Sequence, residues 1–226
     1  MQASNIRSGF VALIGRPNSG KSTILNYLVQ EKIAIVSERP QTTRNLIRGV
    51  RTTATTQIVF VDTPGVHRPE FRLNKRMMED VYASLKEVDL VVQVVDMSVK
   101  FGKGEKYVLS LVRESGKPLI LALNKIDLVN KGKALPVIDF YSRQSEYREI
   151  IPISALAGEN MELLEEKIVE SLPEGEFIYP HDYVTDQKET FMIAEIIREK
   201  VLRETHQELP YSTAIMLEEF DESTRE

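Results

Sequence analysis

Apolar runs of strand length alternate along the chain with stretches of helical period. Residues 10–14 are continuously apolar, and Ile24, Leu25 and Leu28 continue at helical spacing after a glycine-bearing turn. Residues 37–45 are polar, contain Pro40 and have no period, as expected of an exposed loop. Two β-prone runs, 46–53 and 57–61, are separated by only Ala54, Thr55 and Thr56. So short a connection requires an antiparallel hairpin, because a parallel pair needs a crossover of a dozen residues or more. Met77, Met78, Val81 and Leu85 mark a helix over 74–86, and the nearly all-apolar 89–96 reads as a buried strand. An amphipathic helix over 105–115 stops at Gly116, followed by a strand at 119–123 and a helix over 135–144. A strand at 149–153 and a helix over 160–171 complete the series.

This alternation predicts an α/β fold with a mixed, mostly parallel sheet covered by helices on both faces. The unit is expected to span 1–173, with 174–185 as a linker. Phe191, Ile193, Ala194, Ile197, Val201 and Leu202 recur at helical spacing beyond it, and 211–217 reads as a strand after Pro210. One helix and one strand cannot bury a core of their own, so 186–226 is expected to pack on the first unit or on a partner.

Composition narrows the class. Of 226 residues, 42% are hydrophobic and 28% charged, enough for a core and a well-solvated surface. The net charge of −5 gives no global basic field for nucleic acid. With no cysteine there is no thiolate or disulfide chemistry, and no apolar run approaches the ~20 residues a bilayer span needs. No apolar segment at the N-terminus is long enough for a signal peptide. A cytoplasmic protein is expected.

The chemistry collects in the turns after the strands, where open α/β sheets bind ligands. Gly15-Arg16-Pro17-Asn18-Ser19-Gly20-Lys21-Ser22, with Thr23 after it, has the form Gly-x-x-x-x-Gly-Lys-Ser between a strand and a helix. Such a loop turns its N–H groups into one concavity, and the helix dipole adds to the pull on a phosphate. Lys21 is expected to reach the β- and γ-phosphates and the Ser22 hydroxyl to ligate Mg²⁺. Asp62-Thr63-Pro64-Gly65, before Val66, closes the second run of the hairpin. Its carboxylate suits the metal side, and the Gly65 N–H suits the γ-phosphate. Thr42 and Thr43 lie in the polar loop. One of them, with Thr43 favoured, is expected to meet Mg²⁺ and the γ-phosphate and to let go after hydrolysis.

Asn124-Lys125-Ile126-Asp127 decides the base. Guanine presents N1–H and N2–H₂ side by side, and one carboxylate accepts both, whereas adenine offers a lone pair at N1. Asp127 therefore selects GTP or GDP, with Asn124 tying loops together and the Lys125 stem along the base. Ser154 and Ala155 are placed to offer a backbone N–H to the guanine O6.

In this order the motifs resemble the small GTPase superfamily over residues 8–172. Val66 stands where Ras-like members have the glutamine that orients water, and Pro17-Asn18 precede Ser19. Both features resemble the TrmE-Era-EngA branch, which lacks that glutamine. The resemblance implies a P-loop GTPase of slow intrinsic turnover, with Asn18 as a K⁺ ligand contributing to catalysis beside Lys21, Thr43 and Gly65. Asn18 reads equally well as a turn residue. Ile35-Val36-Ser37, Pro40-Gln41-Thr42-Thr43-Arg44 and the segments at 182–186, 195–200 and 208–212 are similar to the Era family. That implies 16S rRNA and the 30S subunit as partners, a monomer, peripheral contact with the inner face of the cell membrane, and a C-terminal KH-type domain beginning at 186. The Gly-x-x-Gly clamp of such a domain does not occur after Asp186, so the chain is expected to end before the domain is complete. RNA binding is then expected of the complete domain rather than of these residues alone. A different reading of the same motifs is a nucleotide-gated assembly module of the same branch in which hydrolysis only resets binding. An ATPase would require Asp127 to lie outside the base pocket. His67, one residue past Val66, is either an exposed loop residue or a catalytic one.

Overall fold

The computed structural model describes residues 6–37, 46–66, 72–204 and 213–219. Thr42, Thr43, His67, Tyr211 and Ser212 lie outside the described residues.

The elements in chain order are β1 (Arg7–Gly15), α1 (Lys21–Val29), β2 (Ile47–Thr52), β3 (Thr56–Asp62), α2 (Arg72–Glu87) and β4 (Leu90–Asp96). They continue with α3 (Lys103–Glu114), β5 (Leu119–Asn124), α4 (Lys131–Ser142), β6 (Glu149–Pro152), α5 (Met161–Ser171) and α6 (Glu189–Glu204). The six strands form one sheet in the order β2-β3-β1-β4-β5-β6. Only β2–β3 is antiparallel, the hairpin that the three-residue connection dictated.

Alternation along β1 assigns the two faces. Val11 and Leu13 join the core under α1 and α5, while Ala12 and Ile14 join the core under α2 and α3. A third cluster, around Leu121, Leu123 and Tyr141, seats α4. Helix α4 begins one turn before the expected start, because Asn130 caps it by accepting the Gly132 N–H at 3.1 Å.

Two features depart from a simple linker and appendage. Residues 174–185 are tied along the sheet: Ser8 Oγ donates to Glu176 O at 2.6 Å, and the Val50 N–H to Val184 O at 2.7 Å. Gln57, fully buried in β3, receives the N–H groups of Ile178 (2.7 Å) and Tyr179 (2.8 Å) and donates back to Tyr179 O (2.9 Å). This strap also covers part of the outer edge of β2, which would otherwise present open N–H and C=O groups.

Helix α6 follows, and its buried Glu199 accepts Lys32 Nζ at 2.5 Å and the Val36 N–H at 3.1 Å, docking it beside the end of α1. The expected strand at 211–217 does not form over 213–217. Strand geometry depends on a neighbour for its N–H and C=O groups, and no strand of the sheet pairs with this segment.

Candidate nucleotide site

The sheet topology brings four turns to one edge. β1 lies between β3 and β4, with Leu13 beside Asp62 and Gly15 beside Val94, and further along Asp96 lies beside Asn124. The turns after β1, β3, β5 and β6 therefore converge.

The loop from Gly15 to Ser22 is shaped by its special residues. Asn18 (φ 63°) and Gly20 (φ 98°) adopt left-handed conformations. At Gly20 a side chain is also excluded by space, since a Cβ would come 2.1 Å from Asn124 Nδ2. No side chain caps α1, the arrangement that leaves first-turn N–H groups for an anion. Lys21 is buried, and its Nζ donates to the carbonyls of Gly15 and Arg16, both at 3.2 Å. Burial lowers its pKa, opposed by the charges of Asp62 and Glu105. Asn18 is exposed, and Thr23 half-buried on the first turn of the helix.

Ser22 Oγ donates to Asp62 Oδ2 at 2.7 Å. The other carboxylate oxygen, Asp62 Oδ1, is buried without a partner. Burial pushes the Asp62 pKa up to about 6, against the pull of Lys21 and the Ser22 hydrogen bond. A hydroxyl beside a carboxylate with one oxygen unspent is the hard-oxygen donor set that Mg²⁺ takes, so these residues fit the metal expected of them.

The next residues divide between architecture and site. The Thr63 hydroxyl is buried and donates to Leu13 O at 2.9 Å, so it holds the turn rather than facing a ligand. Pro64 is buried. Gly65 lies against Pro17, where an added Cβ would meet Pro17 atoms at 2.7 Å. Val66 is fully buried among Ile14 and the α2–α3 residues, and its N–H donates to Gly15 O at 2.9 Å. A side chain in that position cannot hold water.

Asn124, 3% exposed, does what was expected of it. Its Nδ2 donates to Ser19 O at 2.8 Å and its Oδ1 accepts the Ala155 N–H at 3.0 Å, joining the first turn to the last. Lys125 (φ 67°) places its Nζ 2.6 Å from Asp96 Oδ2. Asp127 sits on a single 3-10 turn, Ile126–Leu128, pinned by the Ile126 N–H on Ile153 O. Its carboxylate is exposed and has no partner among the described residues. The N–H groups expected for the guanine O6 are engaged: Ser154 donates to Glu159 O and Ala155 to Asn124 Oδ1. The Leu156 N–H, next along, has no partner among the described residues.

Three residues here escaped the motif reading. Asp96 closes an apolar strand as Asp62 does, which was a usable signal. Gln93 interrupts that strand and receives the Tyr147 hydroxyl at 2.8 Å. Glu105 occupies the apolar stripe of α3 with Val108, Leu109 and Val112.

With the geometry in view, similarity to known proteins is specific. Residues 10–125 match the family model described as a 50S ribosome-binding GTPase. GTPase Era of Thermoanaerobacter sp. (strain X514) is 46% identical over 216 residues, covering 96% of this chain and 72% of the relative. GTPase Era of Trichlorobacter lovleyi is 48% identical over 223 residues, covering 98% and 75%. The crystal structure of Era in complex with MgGDPNP and nucleotides 1506–1542 of 16S ribosomal RNA superposes with a TM-score of 0.87 at 37% identity, covering 91% of this chain and 70% of that one. A variant of Aquifex aeolicus Era bound to GDP·AlF₄⁻ superposes at 0.85 with the same identity and coverage. A phosphate loop locked to a guanine-type Asn-Lys-x-Asp turn, on a sheet of this order, agrees with each of these relatives: the chain belongs to the Era family of GTPases.

Proposed function

We propose that this GTPase works as a Mg²⁺-dependent switch whose nucleotide is held by residues 15–23 and read at the base by Asp127. The observation that carries the reading is the Ser22–Asp62 contact with Asp62 Oδ1 left over, Ser22 lying in the uncapped first turn of α1. Ser22 and Asp62, with Thr43, would hold Mg²⁺, which neutralises charge on the phosphates. Lys21 exchanges two carbonyl partners for phosphate oxygens when the nucleotide arrives, so its charge is already aimed at the site. Asn124 keeps the phosphate and base turns in fixed register. The base is bound by Asp127, and O6 is met by the Leu156 N–H or by Ala155 once it trades Asn124 for the base.

Hydrolysis adds water to the γ-phosphorus, breaks the bond to the β–γ bridging oxygen and yields GDP and phosphate. Val66 offers the water no polar group, so the chain's own contribution is charge and position: Lys21, the Gly65 N–H and Thr43. Asn18, exposed at the crest of the loop, is proposed to bring K⁺ to the same phosphates, where the ion would stand in for an arginine finger. Hydrolysis in KCl is expected to exceed that in NaCl about tenfold or more, and Asn18→Ala to erase the difference. Equal wild-type rates in the two salts would remove the potassium role.

For partners we infer the 16S rRNA of the small subunit, supported by the RNA in the related Era complex. The 50S subunit appears only in the description of the family model. Residues 186–226 are read as the N-terminal part of a KH-type domain, whose Gly-x-x-Gly clamp is not among them. This chain alone is therefore expected to retain nucleotides 1506–1542 of 16S rRNA no better with a GTP analogue than with GDP in a filter-binding assay. A GTP-dependent gain would place an RNA site within these residues. From the family we infer a monomeric, cytoplasmic protein whose contact with the cell membrane is peripheral. No described helix is long and apolar enough to cross a membrane.

A further inference from the structure

Glu105 is a buried carboxylate that none of the steps above uses. It is the third residue of α3 and 5% exposed, in a stripe otherwise apolar. An acidic side chain is rarely buried so far without a compensating charge. Its one hydrogen bond given by geometry is long, from Gln93 Nε2 at 3.4 Å. The compensation comes from the phosphate loop. The Arg16 side chain lies over the first turn of α3, so close that a Cβ on Gly104 would be 2.9 Å from Nε and 3.4 Å from Cδ and Cζ. Arg16 and Glu105 line the same cavity of about 520 Å³ on the outer side of the loop. Burial drives Glu105 toward its neutral form, and Arg16 is the strongest charge opposing this, with Lys21 adding to it and Asp96 working against.

Arg16 thus has two attachments. Its guanidinium lies on α3 beside Glu105, while its carbonyl accepts Lys21 Nζ from inside the loop. When phosphates draw Lys21 away, the inner attachment is lost and only the outer one remains. We infer that Glu105 is a positioning residue for nucleotide binding, acting through Arg16 to hold the Gly15–Arg16 peptide in place as Lys21 changes partners. Gly104 belongs to the device because any larger residue there would push the guanidinium off the helix. The role rests on the phosphate-loop reading above and adds a residue outside the motif.

The test is titration of the full chain with GDP and with a non-hydrolysable GTP analogue. Glu105→Gln is expected to weaken both about tenfold and to leave their ratio within twofold, since the loop rather than the γ-phosphate contact is disturbed. Gly104→Ala should weaken both similarly while keeping or raising the melting temperature, because alanine favours the helix. A role confined to packing would not separate affinity from stability in that way. Arg16→Ala should lower affinity, and adding Glu105→Gln to it should lower it by less than a further twofold. The inference is overturned if Glu105→Gln binds GDP within twofold of wild type, or if its effect multiplies with that of Arg16→Ala. Should Glu105→Gln not fold, wild-type binding by Gly104→Ala overturns it equally. Lys21→Ala separates the two levels: normal binding there defeats the phosphate-loop reading itself, whereas a defect there with none at Glu105 defeats only this inference.

Discussion

Replacing Asp127 with Asn is expected to lower GTP affinity by roughly 10³-fold and to admit xanthosine triphosphate in its place. The carboxylate is exposed on a pinned 3-10 turn and has no partner among the described residues, so it is free to accept both guanine donors. Hydrogen bonds to charged groups contribute about 1.5–3 kcal/mol each, and two of them give about 3–6 kcal/mol. An Asn amide keeps one acceptor and turns the other into a donor, which mismatches the guanine N2–H₂ and matches the xanthine O2. Competition titrations with GTP, XTP and ATP would show the exchange. Unchanged GTP affinity would put Asp127 outside the base pocket and restore the ATPase alternative.

Asn124→Ala should damage stability and binding together. The substitution strips the Ser19 carbonyl and the Ala155 N–H of their buried partner, at about 1–3 kcal/mol for each unsatisfied group. A loss of about 2–5 kcal/mol is expected in urea unfolding. The two turns would also lose their common brace, so nucleotide affinity is expected to fall by roughly 10²-fold. Because a ligand stabilises by RT ln(1 + [L]/Kd), the effect would appear as a smaller rise in Tm on adding GDP. A variant that keeps the full wild-type rise would show that the brace is not needed for binding.

The parts of the fold that could be read in advance were those set by local physics. The β2–β3 hairpin followed from its connection length, and β4 from its unbroken apolar run. The nucleotide turns could be read because phosphate and guanine chemistry each demand a fixed order of residue types over a few positions. What escaped depends on contacts distant in sequence. Gln57 reads as an ordinary polar residue in a strand until residues 178–179 arrive, and residues 174–185 read as a linker because their hydrogen bonds go to residues more than a hundred positions away. The expected strand at 211–217 shows the converse, since β-propensity has no effect without a neighbour. Glu105 was hidden by the same logic: a charge in an apolar stripe becomes intelligible only when Arg16 is laid across α3.

The strap has a consequence for how anything beyond it is delivered. A free polar tether of twelve residues would let its far end wander over roughly 20 Å, at about 5–6 Å × √n. Residues 174–185 have no such latitude, because Gln57, Ser8 and Val50 hold them at successive points along the sheet. Whatever follows therefore starts from one address at the β2 edge and one heading. The protein has no search radius there; it has a mounting bracket.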